Sequence, residues 1–199
     1  MPASCPPLKT RPLARVLIFG GWFAAIAVLS VWLHALHAVP LPPAQPAALA
    51  SSNTWRALHA IGSDCGCSSA VADALISRGP RSGWDEKIAV IGAQPALARQ
   101  FRAAGFTVEE LSPAQFSAAT GLPGAPWLAV HAPDGRTAYS GGYAPSRPGL
   151  PATALLDAAI MDRVRRGETV TPYPAFGCVT SAALRSSLDP LQLKYARLP

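Results

Sequence analysis

The stretch from Val16 to Leu33 contains no charged side chain, and its apolar character continues through His34 and His37 to Val39, 24 residues in all. A helix of that length rises about 36 Å, enough to cross a hydrocarbon core of about 30 Å with some tilt. The run reads as a membrane-spanning helix over 16–39, and it divides the chain into a short segment, 1–15, and everything that follows.

Lys9, Arg11 and Arg15 precede the span with no acidic residue among them. The excess of positive charge predicts a single-pass protein of the inner (cytoplasmic) membrane with its N-terminus in the cytoplasm and the rest extracytoplasmic, in a periplasm-like oxidising compartment. A cleaved signal peptide is the alternative, since small residues lie between Ala35 and Ala38, but the apolar run is longer than a usual signal core. Both readings export the same domain. Cys5, on the cytoplasmic side, reads as an incidental thiol or a juxtamembrane lipidation site.

Residues 40–53 are rich in Pro, Ala and Ser and carry no charge, which predicts a semi-extended tether. Residues 54–199 are one domain's worth of chain, long enough to bury a core. Their 14 basic side chains stand against 11 acidic ones and are scattered, except for Arg163, Arg165 and Arg166 before Gly167, the favoured cationic end of a helix. That pattern leaves no nucleic-acid footprint. A phosphate loop, a paired-carboxylate signature and a serine-hydrolase elbow are also missing from the sequence, and Gly141-Gly142 reads as no more than a turn.

Chemistry concentrates at Cys65-Gly66-Cys67-Ser68. Trp55 to Ile61 reads as a strand leading into these residues, and Val71, Ala74, Leu75 and Ile76 recur at helical spacing behind them up to Gly79-Pro80. A thiol at a strand-to-helix junction faces unpaired backbone N–H groups and the positive end of the helix dipole, which lower its pKa and make it a nucleophile or a soft-metal ligand. The sulfur pair is expected to be exposed there. Asp64, directly before Cys65, acts in the opposite sense by like-charge repulsion.

Further on, Lys87 to Gly92 reads as a buried strand and Pro95 to Gly105 as a helix with Leu97, Phe101 and Ala104 on one face. Phe106 to Leu111 follows as a strand, and Ser112-Pro-Ala-Gln115 has capping-box spacing for a short helix ending at Gly121. Trp127–His131 and Thr137–Ser140 flank Pro133-Asp134-Gly135 as a hairpin. Leu150 to Arg166 reads as a closing helix with Leu155, Leu156, Ile160 and Val164 for burial. This order predicts an α/β domain with a mixed sheet and helices on both faces.

At this point the chain resembles the thioredoxin-like superfamily over roughly residues 55–166. The likeness rests on the cysteines at the first strand-to-helix junction, a Gly-x-Pro stretch before the hairpin, and the closing helix. It implies a cis-proline packed against the active sulfur, matched by Pro126 with Pro123 as its rival, and it makes Ala125 the backbone with which a substrate strand could pair. The usual motif is Cys-x-x-Cys. With Cys65 as nucleophile the resolving position falls on Ser68 and Cys67 is an extra thiol; the other alignment puts Asp64 in the nucleophile's place.

The tail, 167–199, lies beyond the family pattern, and Thr171-Pro-Tyr-Pro-Ala-Phe-Gly-Cys178 reads as a fixed, packed segment that could bring Cys178 over the Cys65 helix. The leading reading is a membrane-anchored thiol–disulfide oxidoreductase in which Cys65 reacts and Cys67 or Cys178 resolves the mixed disulfide, with protein thiols or disulfides of the envelope as partners and no required cofactor. A Cu(I)-binding metallochaperone using Cys65, Cys67, Cys178 and His131 is the second reading, with His59 a weaker ligand and zinc less suited. The third is a non-catalytic interaction module held by one structural disulfide, with Trp84, Trp127 and Tyr143 as ordinary core residues.

Overall fold

A computed structural model describes residues 12–37, 40–63, 65–148 and 154–188. The readings placed on Cys5, Lys9, Arg11, Ala38, Val39, Asp64, Leu150 and the end of the tail fall outside the described residues. The chain forms two compact units, one up to Val39 and the other from Pro40 onward.

The first unit holds α1, Pro12–His37. Proline at its start costs no helical hydrogen bond, because the first N–H groups have no intrahelical partner. Within it, Ala14–Leu33 is long and apolar enough to cross a membrane, and its large side chains, Phe19, Trp22 and Leu29 among them, are exposed.

The second unit is built on five strands: β1 (Trp55–Gly62), β2 (Trp84–Ile91), β3 (Thr107–Leu111), β5 (Trp127–His131) and β6 (Thr137–Gly141). They lie in the order β3-β2-β1-β5-β6, with β1, β2 and β3 parallel and β5 and β6 antiparallel to their neighbours. The expected mixed sheet flanked by helices is therefore present. The strand through Lys87 begins three residues early, at Trp84, because Trp55 to Gly62 pairs with it along its whole length.

Alternation along β1 divides the interior. Ala57 and Ile61 face one apolar cluster together with α2 (Gly66–Arg78), α3 (Pro95–Ala103) and α5 (Asp157–Arg165), through Leu75, Phe101 and Ile160. Ala60 faces the other, with Phe116 of α4 (Pro113–Thr120), Trp127, Ala175 and Val179. Each fully buried Phe contributes roughly 1.5–3 kcal/mol of burial. α4 carries the expected capping box, in which Ser112 Oγ accepts from the Gln115 N–H and Gln115 Oε1 accepts from the Ser112 N–H. Gly121 then ends the helix in the left-handed region.

Three expectations change. Residues 40–53 do not form a free tether. Leu41 is buried in the second cluster and its N–H donates to the Ala175 carbonyl at 2.7 Å, while the Ala44 carbonyl accepts from Ser140 Oγ at 2.6 Å. Further along, the N–H groups of Leu49 and Ser52 donate to the carbonyls of Gly135 and Pro133. A single leucine with a vacant apolar site, plus backbone groups opposite a sheet edge, suffices to dock a proline-rich segment.

The closing helix starts at Asp157, not Leu150, because Leu155 and Leu156 pack on the core as a loop before it. Gly141-Gly142 is more than a turn. β6 ends there, the Gly142 N–H donates to the Tyr173 carbonyl at 2.8 Å, and a β-carbon on Gly142 would overlap the backbone of Pro174. The two glycines let the tail cross the sheet edge at backbone contact.

Candidate functional site

Strand β1 delivers the chain to Cys65, which has extended backbone angles, and α2 begins at the next residue. The Cys65 carbonyl accepts the first helical hydrogen bond, from the Ser69 N–H at 3.1 Å. Ser68, which stands where the family's second cysteine would be, is fully buried and its Oγ accepts from the Gly62 N–H at 3.0 Å. That bond ties the last residue of β1 to the first turn of α2, so the position serves to fix the junction.

The sulfur pair lies at the amino end of the helix as expected, but it is not exposed: Cys65 is 6% and Cys67 4% accessible. The tail packs on the Cys65 side of the pair. β4 (Gly124–Ala125) pairs antiparallel with β7 (Cys178–Val179), and Cys178 stands opposite Ala125. The Thr180 N–H adds a bond to the Pro123 carbonyl at 2.9 Å. The Ala125–Pro126 peptide is cis, and the Cys65 sulfur lies 3.8 Å from the Ala125 carbonyl oxygen. Ala125, expected as backbone open to a substrate strand, is thus occupied by the chain's own tail. Short-range sequence pattern has no way to register a pairing between residues so far apart.

Three thiols meet here, none of them in a disulfide. Hydrogen bonds from Cys178 and then Cys67 hold the Cys65 thiol well below the usual thiol range; burial opposes them and the backbone N–H groups of Ser68 and Cys67 assist. The bond to Cys65, together with burial, pushes the Cys67 thiol up. The two shifts run in opposite directions, which favours a Cys65 thiolate beside a Cys67 thiol that offers it a proton.

Arg147 completes the cluster. Its Nε donates to the Cys67 sulfur at 3.1 Å, and that bond, first among the influences of the neighbouring sulfurs, raises its own pKa. The guanidinium balances negative charge that burial would otherwise disfavour. Sequence reasoning passed over Arg147, which sits in a Ser-Arg-Pro loop with no motif around it.

A cavity of about 450 Å3 borders Cys65 and Cys178 and is lined also by Ser63, Glu110 and Arg185 among others. It leaves Cys65 a route to a reactant that does not pass through α2.

The two histidines lie elsewhere. His131 is at the far end of β5, paired with Arg56 near the start of β1, and lines a separate cavity. Four residues of strand, about 13 Å, separate it from Trp127 at the cysteine end. It does not join the sulfurs as a copper ligand. Burial and the Arg56 charge lower its pKa, against a bond with the Gly135 backbone. His59 is buried within hydrogen-bond distance of Tyr143 Oη and Glu86 Oε2, both at 3.0 Å. Glu86 also accepts from Arg78 and from the Arg81 N–H, and Arg78 reaches Asp157. This network joins α2, β2 and α5 and is structural. Among the described residues, no three His, Cys, Asp or Glu side chains are arranged to hold a metal ion.

No protein-family model matches this chain, and no curated protein matches it in sequence. Among solved structures it is similar to a hypothetical protein from Sinorhizobium meliloti 1021, with a TM-score of 0.53 and 17% identity over 72% of this chain and 96% of that one. An uncharacterized conserved protein from Geobacillus kaustophilus aligns with a TM-score of 0.49 and 15% identity over 72% and 92% of the two chains. The Sinorhizobium protein and this chain therefore share a fold over the aligned part.

Proposed function

We propose that this chain is a thioredoxin-like thiol–disulfide exchange protein, anchored by α1 in the inner membrane with its α/β domain outside the cytoplasm. The observation that carries the reading is the Cys65 sulfur at the amino end of α2, in hydrogen-bond contact with two further thiols. A structural cysteine gains nothing from such neighbours, whereas an exchange site needs a nucleophile, a resolving thiol and a proton carrier.

In the reaction, the Cys65 thiolate attacks one sulfur of a partner disulfide. A Cys65–partner bond forms, the partner's S–S bond breaks, and the released thiolate takes the proton that Cys67 had offered. Cys178 gives its proton to the Cys67 thiolate left by the first step and then attacks the Cys65 sulfur, closing a Cys65–Cys178 disulfide and expelling the second partner thiolate. Two thiols of this protein are oxidised and one partner disulfide is reduced; in the reverse direction the same steps oxidise a partner dithiol. Cys178 resolves in preference to Cys67, since a Cys65–Cys67 bond closes a very small, strained ring.

Trapping tests the assignment. In cells making the full-length protein, Cys178→Ser is expected to accumulate mixed disulfides through Cys65, and Cys65→Ser to accumulate none. Accumulation by Cys65→Ser at the level of Cys178→Ser would overturn the role of Cys65, and no adduct in either variant would overturn exchange itself.

A further inference from the structure

The strand that covers the sulfurs has the features of a bound reactant. β4 is two residues long, and its partner is the tail, with Cys178 set against Ala125 and its thiol against Cys65. The backbone bonds of such a pairing are blind to sequence, so any selectivity comes from what the side-chain positions tolerate. Here the tolerances are narrow. A β-carbon on Gly177 would overlap the Ala125 carbonyl and lie 2.7 Å from Pro126 Cδ. Both obstacles are main chain or ring, not flexible side chain, so they cannot step aside. One residue after the cysteine, Val179 is buried in the apolar cluster with Trp127 and Phe116.

We infer that Gly177–Val179 is the chain's own copy of its substrate, and that a partner offers an extended segment with glycine immediately before its reacting cysteine and an apolar residue after it. The inference rests on the exchange reading above and names its substrate class. The tail and the partner strand compete for the same edge of β4. Arrival of the partner lifts Cys178 away while the Cys65–partner bond forms, and return of the tail displaces the partner strand and delivers Cys178 to the Cys65 sulfur. One site thereby orders the two exchange steps.

The test uses full-length protein in detergent and two peptides, Phe-Gly-Cys-Val-Thr and Phe-Ala-Cys-Val-Thr, each with its cysteine in a mixed disulfide with 5-thio-2-nitrobenzoate. Attack by the Cys65 thiolate on the peptide sulfur forms a Cys65–peptide disulfide and releases the coloured thiolate, so the rate is read directly. A small symmetric disulfide, 2-hydroxyethyl disulfide, reports exchange chemistry without strand pairing. The glycine peptide is expected to react about tenfold faster than the alanine peptide, corresponding to about 1.4 kcal/mol. Gly177→Ala, which forces the tail off β4, is expected to accelerate the glycine peptide further. Equal rates for the two peptides, with the small disulfide still reacting, overturn the inference and leave the exchange reading standing. No reaction with any of the three removes both. The comparison of peptides on the unaltered protein holds even where Gly177→Ala folds poorly.

Discussion

Arg147 Nε donates to the Cys67 sulfur at 3.1 Å across 80 residues of sequence, which places a positive charge beside the thiol cluster. A charge-assisted bond of this kind favours the thiolate form of the sulfur that receives it and so opposes the rise imposed by Cys65 and burial. Arg147→Leu is therefore expected to push the Cys67 thiol higher still and to slow its alkylation, with Arg147→Lys restoring part of the rate. Site-resolved alkylation followed against pH measures this, and a profile identical to that of the unaltered protein would show that the guanidinium does not act on Cys67.

Cys65 is expected to show the opposite behaviour. An ordinary thiol loses reactivity about tenfold per pH unit below about 8.5, as its thiolate fraction falls. Hydrogen bonds from Cys178 and Cys67 depress the Cys65 pKa, so its thiolate persists in acid and its alkylation rate stays nearly flat between neutrality and about pH 5. Cys178→Ala removes the foremost of those donors and should restore a slope. A steep slope in the unaltered protein would contradict the thiolate.

Glu86 predicts how the domain responds to acid. Burial works against its charge, but bonds from His59, Arg78 and the Arg81 N–H prevail and bring its pKa down to about 2. A depressed carboxylate stabilises the folded state above its unfolded pKa of about 4.3, and that contribution is lost as the pH falls through the folded value. The shift corresponds to about 3 kcal/mol. Chemical denaturation at a series of pH values should show stability falling from about pH 4.5 toward 2, and Glu86→Gln should lower stability at neutrality and flatten that dependence. An unchanged pH dependence in the variant would refute the assignment.

Leu41 decides whether residues 40–53 remain docked. Its side chain is buried, so Leu41→Ala is expected to cost about 2 kcal/mol and to free the segment that follows. Limited proteolysis would then cut between Pro42 and Leu49, where the unaltered protein resists; equal resistance in both would mean that the backbone bonds to Gly135 and Pro133 suffice.

Elements set by neighbouring residues were legible in the sequence. Ser112 and Gln115 sit three residues apart and formed their capping box, Pro133-Asp134-Gly135 closed its hairpin, and Cys65 stood at the start of α2 because a glycine-flanked junction separates a strand pattern from a helix pattern. The apolar run in α1 needed only its length and composition. Such features depend on contacts within a turn or two of chain, and their physics is local.

What the sequence could not carry were relationships across the fold. Arg147 meets Cys67, Leu41 meets Ala175, and Cys178 stands against Ala125 because the sheet brings distant segments to one edge. No periodicity marks such a meeting in advance, since each side chain alone satisfies several arrangements of equal local merit. The sequence by itself determined that three sulfurs beyond the apolar helix, one of them at the start of α2, were available. Only the tertiary structure decided that the tail brings Cys178 onto Cys65 and so gathers the three into one cluster, because the entropy of bringing those loops together is offset only when the whole core forms at once.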